Sequence, residues 1–172
     1  MAHPLLTFPN PVNEVAARVV AGFVALLGLL AVVFQLPWLA PIMAVGFALR
    51  VACGPKLSPL GLLATRVIVP RLPFEAKMVS GPPKRFAQTV GLVFTATATV
   101  LFFGVGATTA GYVLMGGLVA AATLESAFGF CLGCKAFALL MRVGVIPEEV
   151  CEACSDIWAG RTPPTAQAQT QS

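Results

Sequence analysis

The chain has 172 residues, of which 58% are hydrophobic and 10% are charged, and its formal net charge is +4. A soluble domain carries about 25% charged residues, so this composition excludes an ordinary water-facing surface and predicts one that largely faces lipid. The basic residues cluster in one loop without interleaved aromatic residues, which argues against a nucleic-acid partner.

Four apolar stretches predict membrane spans, because a spanning helix needs about 20 mostly apolar residues. The predicted spans are residues 16–34, 36–53, 86–105 and 110–130. The joins within the first pair and within the second pair are very short, so each pair should form an antiparallel hairpin. The predicted fold is an all-α, four-span transmembrane bundle, with residues 1–160 forming a single domain.

The first helix has a clear start signal. Asn13 is well placed as an N-cap, and Glu14 puts an acidic side chain in the first turn.

The long loop between the second and third spans is strongly basic. Within it, the apolar piece Leu60–Val69 is bracketed by Pro59 and Pro70, which predicts a short helix lying in the membrane interface.

Loops rich in Lys and Arg stay in the cytoplasm, and the two short joins contain neither residue type. We therefore expect a multi-pass membrane protein with both termini in the cytoplasm.

A cytoplasmic segment with paired cysteines follows the fourth span, over residues 131–160. Pro147, Glu148 and Glu149 are typical of a helix start, so the segment should contain a second amphipathic helix that ends at Gly160. Residues 161–172 are rich in Pro, Thr, Gln and Ala and predict a disordered tail.

Two Cys-x-x-Cys pairs, Cys131 with Cys134 and Cys151 with Cys154, are the main chemical motif. Residues 135–150 separate the pairs, a spacing typical of zinc sites. Four thiolates can surround zinc or hold an iron–sulfur cluster, so one hypothesis is a metal site formed by all four cysteines. Plain packing is a weaker explanation, because only Cys53 lies outside the pairs.

The competing hypothesis is redox chemistry. If the fourth span broke near Gly129 and Gly133, Cys131 would lie at the N-terminus of a new helix beside Lys135, and both features lower the pKa of a thiol. Cys131 would then be the nucleophile and Cys134 the resolving thiol. Cys151 and Cys154 would form the exchanging relay pair.

Four ionisable residues lie near the predicted cytoplasmic ends of the spans: Arg18, Arg50, Arg85 and Glu125. A carboxylate in a span is costly without a partner, and Arg18 or Arg50 is the candidate partner of Glu125. The simplest interpretation is a structural ion pair, and the alternative is a basic pocket that binds an anion such as a sulfur oxyanion. On a continuous helix Glu125 would lie about 120° from Cys131, too far around to act as its base.

The sequence resembles the bacterial membrane family known as domain of unknown function 4395, from about Asn10 to Trp158. The resemblance rests on four segments, of which the last two are the more specific: NEVAARVVAG, FALRVACGPKLSPL, PPKRFAQTVG and FGFCLGCKAF. It implies a multi-span protein of a bacterial cell membrane with a cysteine motif at Cys131 and Cys134, and it suggests a link to thiol or sulfur metabolism. It implies no defined activity.

The leading functional hypothesis is a thiol-active membrane protein that passes electrons or sulfur at the cytoplasmic face. Its partner would be a thioredoxin-like protein or a sulfurtransferase. The rival is a non-enzymatic scaffold with a four-cysteine zinc or iron–sulfur site, and the third hypothesis is a small transporter subunit. A homo-oligomer is compatible with each of them.

Overall fold

A computed structural model of the chain describes residues 12–54, 58–71, 78–79 and 81–145, and these are mostly helical. The predicted amphipathic helix at residues 147–160 and the predicted tail at residues 161–172 lie outside the described residues.

Six α-helices follow one another along the described chain: α1 (Glu14–Val33), α2 (Leu39–Cys53), α3 (Pro59–Leu63), α4 (Gly81–Val100), α5 (Thr108–Phe128) and α6 (Leu132–Arg142). A π-helical turn, Leu101–Val105, extends α4. Two short strands, β1 (Val12–Asn13) and β2 (Met78–Val79), pair antiparallel and tie the start of α1 to the loop before α4.

The start of α1 confirms the predicted cap. Asn13 has extended backbone angles, and its Oδ1 accepts hydrogen bonds from the N–H groups of Val15 at 2.9 Å and Ala16 at 3.4 Å. These two donors would otherwise lack a partner in the first turn of the helix.

Within the described residues, three helices are long and apolar enough to cross a membrane: Glu14–Val33, Gly81–Val105 and Thr108–Phe128. The chain is therefore a membrane protein. The predicted second span is helical as well, but α2 has only 15 residues. That corresponds to about 22 Å of helix, less than the thickness of the hydrocarbon core.

The shorter second helix results from the turn that precedes it. Gln35 adopts a positive φ of 51°, which reverses the chain, and residues 36–38 belong to the turn instead of the helix. The prediction placed the helix start at residue 36, three residues too early.

The helices pack in two pairs, α1 against α5 and α2 against α4, and the pairs meet where α4 contacts α5. A shared apolar core lies between them, with Val24, Met43 and Met115 among its buried residues. The approach of α2 to α4 depends on Gly91, because a Cβ atom there would lie 2.4 Å from the Phe47 ring.

The predicted helix between the second and third spans is present. Ser58 caps α3 by accepting from the N–H of Gly61 at 3.4 Å, and a π-helical turn at Ala64–Ile68 continues the helix. This segment packs against α1, with Ala64 fully buried. The chain is thus helical where expected, and the location of this helix in the membrane interface stays a prediction.

Candidate dithiol site

The fourth predicted span breaks at Gly129, as the redox hypothesis required. α5 ends at Phe128, and Gly129 takes a left-handed conformation with a φ of 68° that favours glycine. Arg18 stabilises this helix end, because its guanidinium donates to the carbonyl oxygens of Ser126, at 3.2 Å, and Ala127, at 3.0 Å. The chain then turns and begins α6 at Leu132.

Cys131 is the N-cap of α6. Its Sγ accepts a hydrogen bond from the backbone N–H of Cys134 at 3.4 Å, so the sulfur lies at the positive end of the helix. Cys131 is 8% exposed, whereas Cys134 is half-buried. The two sulfurs thus face different surroundings, one the protein interior and the other partly the outside.

The glycine inside the cysteine motif lets α6 contact α4 closely. A Cβ atom at Gly133 would lie 2.6 Å from both Cα and Cβ of Ala87, so only glycine fits without moving the backbone. One turn further on, the Phe137 ring packs against Phe86 with ring centroids 5.6 Å apart. These two contacts hold the start of α6, and therefore Cys131, against the first turns of α4.

A buried ion pair lies beside the thiols. Lys84 Nζ is 2.7 Å from Glu125 Oε1, and the two side chains are 9% and 18% exposed. The sequence suggested Arg18 or Arg50 as the partner of Glu125, whereas the ion pair in the structure is made by Lys84. The reason is that α4 begins at Gly81, five residues before the predicted start, so Lys84 lies inside the helix, whereas Arg85 is exposed.

The two thiols differ in acidity. The pKa of Cys131 is lowered, chiefly because the Cys134 thiol donates a hydrogen bond to its sulfur, and the positive charge of Lys84 adds to the effect. Burial and the carboxylate of Glu125 oppose this change. The pKa of Cys134 is raised, because its proton is held in the hydrogen bond to Cys131. Cys131 is therefore the sulfur that ionises first.

A cavity of about 100 Å³ opens on the inner side of Cys131, between α1, α2, α4 and α5. Most of its lining is apolar, and Phe47 forms part of the wall. Arg50, Gln88 and Glu125 also line it. The break at Gly129 therefore brings Glu125 and Cys131 to one cavity, whereas a continuous helix would have held them far apart.

Arg50 is held firmly at this cavity and is 4% exposed. Its Nε donates to the carbonyl oxygen of Gly46 at 3.1 Å, and its guanidinium lies 4.3 Å from the centroid of the Phe47 ring. A second nitrogen of the guanidinium, Nη1, is buried, and no described residue accepts a hydrogen bond from it.

The structure brings together part of the residue set that the sequence indicated. Arg50, Glu125 and Cys131 share the cavity, and Cys134 contacts Cys131. Arg18 instead caps α5, and Arg85 is exposed. We call the end of the bundle that holds these groups the polar end, and it comprises Arg18, Arg50, Lys84, Glu125 and Cys131.

The proposed four-cysteine metal site falls partly outside the described residues, because Cys151 and Cys154 lie beyond residue 145. Among the described residues there is no group of three or more His, Cys, Asp or Glu side chains placed to hold a metal. The hydrogen bond from the Cys134 N–H to the Cys131 sulfur involves these two residues alone.

Sequence reasoning missed Lys84, Gln88 and Gly133 as site residues. From the sequence, Lys84 is only one of several basic residues in the long loop between the second and third predicted spans. A signal was nevertheless available, because Lys84, Gln88 and Gly91 are spaced by four and three residues and therefore share one face of a helix. That face packs toward Phe47 and Glu125.

No curated protein and no solved structure matches the chain. The profile of one family, described as a domain of unknown function, matches residues 12–142. The match includes Cys131 and Cys134, and it ends before Cys151 and Cys154. The chain therefore belongs to the family described as domain of unknown function 4395.

Proposed function

We propose that this protein is a thiol-active membrane protein, in which Cys131 and Cys134 pass electrons or sulfur at the cytoplasmic face of the membrane. One observation carries the proposal: Cys131 is the N-cap of α6, and its sulfur accepts the N–H of Cys134 close to Lys84. A helix N-terminus and a nearby cation both stabilise a thiolate, which is the reactive form of cysteine.

The proposed exchange with a thioredoxin-like partner proceeds in two steps. The Cys131 thiolate attacks one sulfur of the partner's disulfide, forms a mixed disulfide and releases the partner's second sulfur as a thiolate. Cys134 then loses its proton and attacks Cys131, which closes the Cys131–Cys134 disulfide and releases the other partner sulfur. The partner is reduced by two electrons, and the pair is oxidised by two.

Cys151 and Cys154 would extend this relay by a second exchange of the same kind. The reverse direction, in which a reduced partner delivers electrons to the pair, uses the same bonds. In the sulfur-transfer version, Cys131 attacks the sulfane sulfur of a sulfurtransferase persulfide, carries that sulfur as its own persulfide, and leaves the donor cysteine as a thiol.

The proposed topology has four spans with both termini in the cytoplasm. It is supported by the polar end, where residues from the start of α1, the end of α2, the start of α4 and the end of α5 meet. If α1, α4 and α5 each cross the membrane, α2 has to return the chain to that same end. The basic loop between α2 and α4 then indicates the cytoplasmic side.

Redox titration of the purified chain in detergent tests the thiol proposal. The ratio of reduced to oxidised dithiothreitol is varied, and the state of each cysteine is determined by alkylation and peptide mass spectrometry. We expect a reversible Cys131–Cys134 disulfide. Cys131→Ser should abolish it, whereas Cys53→Ser, which changes a buried cysteine that is not part of the pair, should leave it intact.

Two other results would contradict the proposal. One is a pair that does not oxidise reversibly at any ratio. The other is one zinc per chain by elemental analysis, lost together with thermal stability in Cys151→Ser, which would identify the scaffold with a four-cysteine site. For the topology, a membrane-impermeant maleimide should label Gln35→Cys in intact cells and leave Cys134 unlabelled.

A further inference from the structure

Within the part of the chain that the structure describes, one side-chain donor and one side-chain acceptor at the cavity beside Cys131 are buried without a partner. Among the described residues, nothing accepts from Arg50 Nη1 and nothing donates to Gln88 Oε1, although both atoms are buried. Both residues line the cavity. Buried polar atoms of this kind are costly unless a ligand or water satisfies them, so this pair of atoms indicates a ligand that can accept one hydrogen bond and donate another.

The charges around the cavity favour a neutral ligand. Arg50 and Lys84 are positive, and Glu125 is negative. When Cys131 ionises, its thiolate supplies the second negative charge, so the four groups balance. An anion would have to enter a largely apolar space next to a carboxylate and a thiolate, which is strongly unfavourable.

The lining and size favour a single ring that is soluble in lipid. The cavity has a volume of about 100 Å³ and a mostly apolar wall that includes Phe47. An apolar cavity of about 150 Å³ can take up benzene, so the space is of the order of one six-membered ring. Three of the helices that form the wall, α1, α4 and α5, are long and apolar enough to span a membrane, so a ligand dissolved in the bilayer has a short route to it.

We infer that this cavity binds the ring of a lipid-soluble quinone, with Arg50 donating to a ring carbonyl, and that the quinone exchanges electrons with the Cys131–Cys134 pair. The inference rests on the proposed function, because it names the second partner of the same dithiol. Cys131 faces the cavity and Cys134 is partly exposed, so the pair connects a membrane ligand on one side with a water-soluble partner on the other.

The electron transfer is balanced without a further reactant. The two thiols lose two electrons and two protons as the S–S bond forms between Cys131 and Cys134. The quinone takes up both electrons and both protons and becomes the quinol. A ring carbonyl accepts from Arg50 before the reaction, and after it a ring hydroxyl can donate to Gln88 Oε1.

Tetramethylbenzoquinone is a suitable probe, because its fully substituted ring does not form the usual adducts with thiols. Reduced full-length protein in detergent is mixed with it under nitrogen, and quinol formation is followed by absorbance. Arg50→Gln should slow the reaction about tenfold, equal to about 1.4 kcal/mol. Arg142→Gln, at an exposed position at the end of α6, is the matched control and should react at the wild-type rate.

Binding is measured separately by equilibrium dialysis on the Cys131→Ala, Cys134→Ala double variant. Arg50→Gln in this background should weaken quinone binding about tenfold, and Ala121→Leu should block it by filling the cavity from α5. Gln88→Leu should weaken binding of the quinol more than that of the quinone. Melting temperatures identify a variant that fails to fold. If Arg50→Gln fails to fold, Ala121→Leu still tests whether the quinone binds in this cavity.

The outcomes separate this inference from the proposed function. Suppose that the dithiol cycles with dithiothreitol. The quinone site is then wrong, and the thiol function stands, if the quinone does not bind or if it binds the Arg50 and Ala121 variants as well as the parent protein. The same conclusion follows if thiosulfate displaces the quinone. If the quinone binds in an Arg50-dependent manner and the dithiol never cycles, the binding site stands and both the electron transfer and the thiol function are wrong.

Discussion

The two ends of the bundle differ sharply in chemistry. At the polar end, charged groups from four helices lie wholly or partly inside the bundle, and Lys84 on α4 forms an ion pair with Glu125 on α5. We call the opposite end, formed by the turns at residues 34–38 and 106–107, the apolar end. It has no Asp, Glu, Lys or Arg, and large side chains such as Phe34, Trp38 and Val105 are exposed there.

This difference indicates where each end gets its stability. The apolar end can lie in lipid or at its boundary. Its turns therefore only have to reverse the chain direction, and they make few specific contacts. The polar end places charges inside the bundle, and the Lys84–Glu125 pair is tolerable there because each charge has a partner from another helix. Substitutions should therefore be far more damaging at the polar end, and the following predictions test that comparison.

The largest effect is expected for Lys84→Gln. It leaves the Glu125 carboxylate buried without its partner, and loss of one member of a buried ion pair costs about 3 kcal/mol. The measurement is reversible unfolding in detergent, followed by circular dichroism. The double variant Lys84→Gln, Glu125→Gln should recover most of the loss, and equal stability of the single and double variants would refute the importance of the pair.

A smaller loss, about 2 kcal/mol, is expected for Gly133→Ala. The new methyl group would collide with the backbone of Ala87, and overpacking of this kind costs about 1–3 kcal/mol. Alkylation of Cys131 should become faster as α6 moves away from α4. Gly116→Ala is the matched control, because a Cβ atom there meets nothing within 4 Å. Equal stabilities of these two variants would contradict the close contact.

The acidity of Cys131 should depend on Cys134. A lowered pKa means that the Cys131 thiolate, and hence its alkylation by iodoacetamide, appears at lower pH than for an ordinary cysteine. Cys134→Ala removes the main hydrogen-bond donor to the Cys131 sulfur, so the alkylation midpoint should move to higher pH.

Cys134→Ser is the matched control for this shift, because its hydroxyl still donates to the Cys131 sulfur. Its midpoint should stay near that of the wild type, with both profiles read from the peptide that contains Cys131. Identical midpoints for the alanine and serine variants would show that the hydrogen bond does not control the acidity of Cys131.

The smallest effect is expected at the apolar end, for Gln35→Gly. Gln35 has a φ of 51°, and glycine adopts this conformation without the steric cost that other residues incur, although it loses more entropy on folding. The net gain should be about 0.5 kcal/mol in the same unfolding assay. Gln35→Ala retains the steric cost and should give no gain, and a large loss in either variant would contradict the proposed contrast between the ends.

Much of the fold follows from local features of the sequence. Apolar stretches of sufficient length mark the helices, Asn13 marks the first start, and Gly129 marks the break before Cys131. These features depend on solubility in lipid and on backbone preferences, which nearby residues determine. They also indicated that Arg50 and Glu125 lie at the same end of the molecule as Cys131 and Cys134, as the described residues show.

The pairing within that end was decided only by the tertiary structure. Lys84 reaches Glu125 because α4 starts early and α6 fits against Ala87 through Gly133, and neither fact can be read from charge or hydropathy. Glu125 and Cys131 share a cavity because the break at Gly129 changes the direction of the chain. The sequence by itself determined which stretches are apolar enough to lie in lipid, since that follows from solubility, whereas contacts between helices depend on how their surfaces fit.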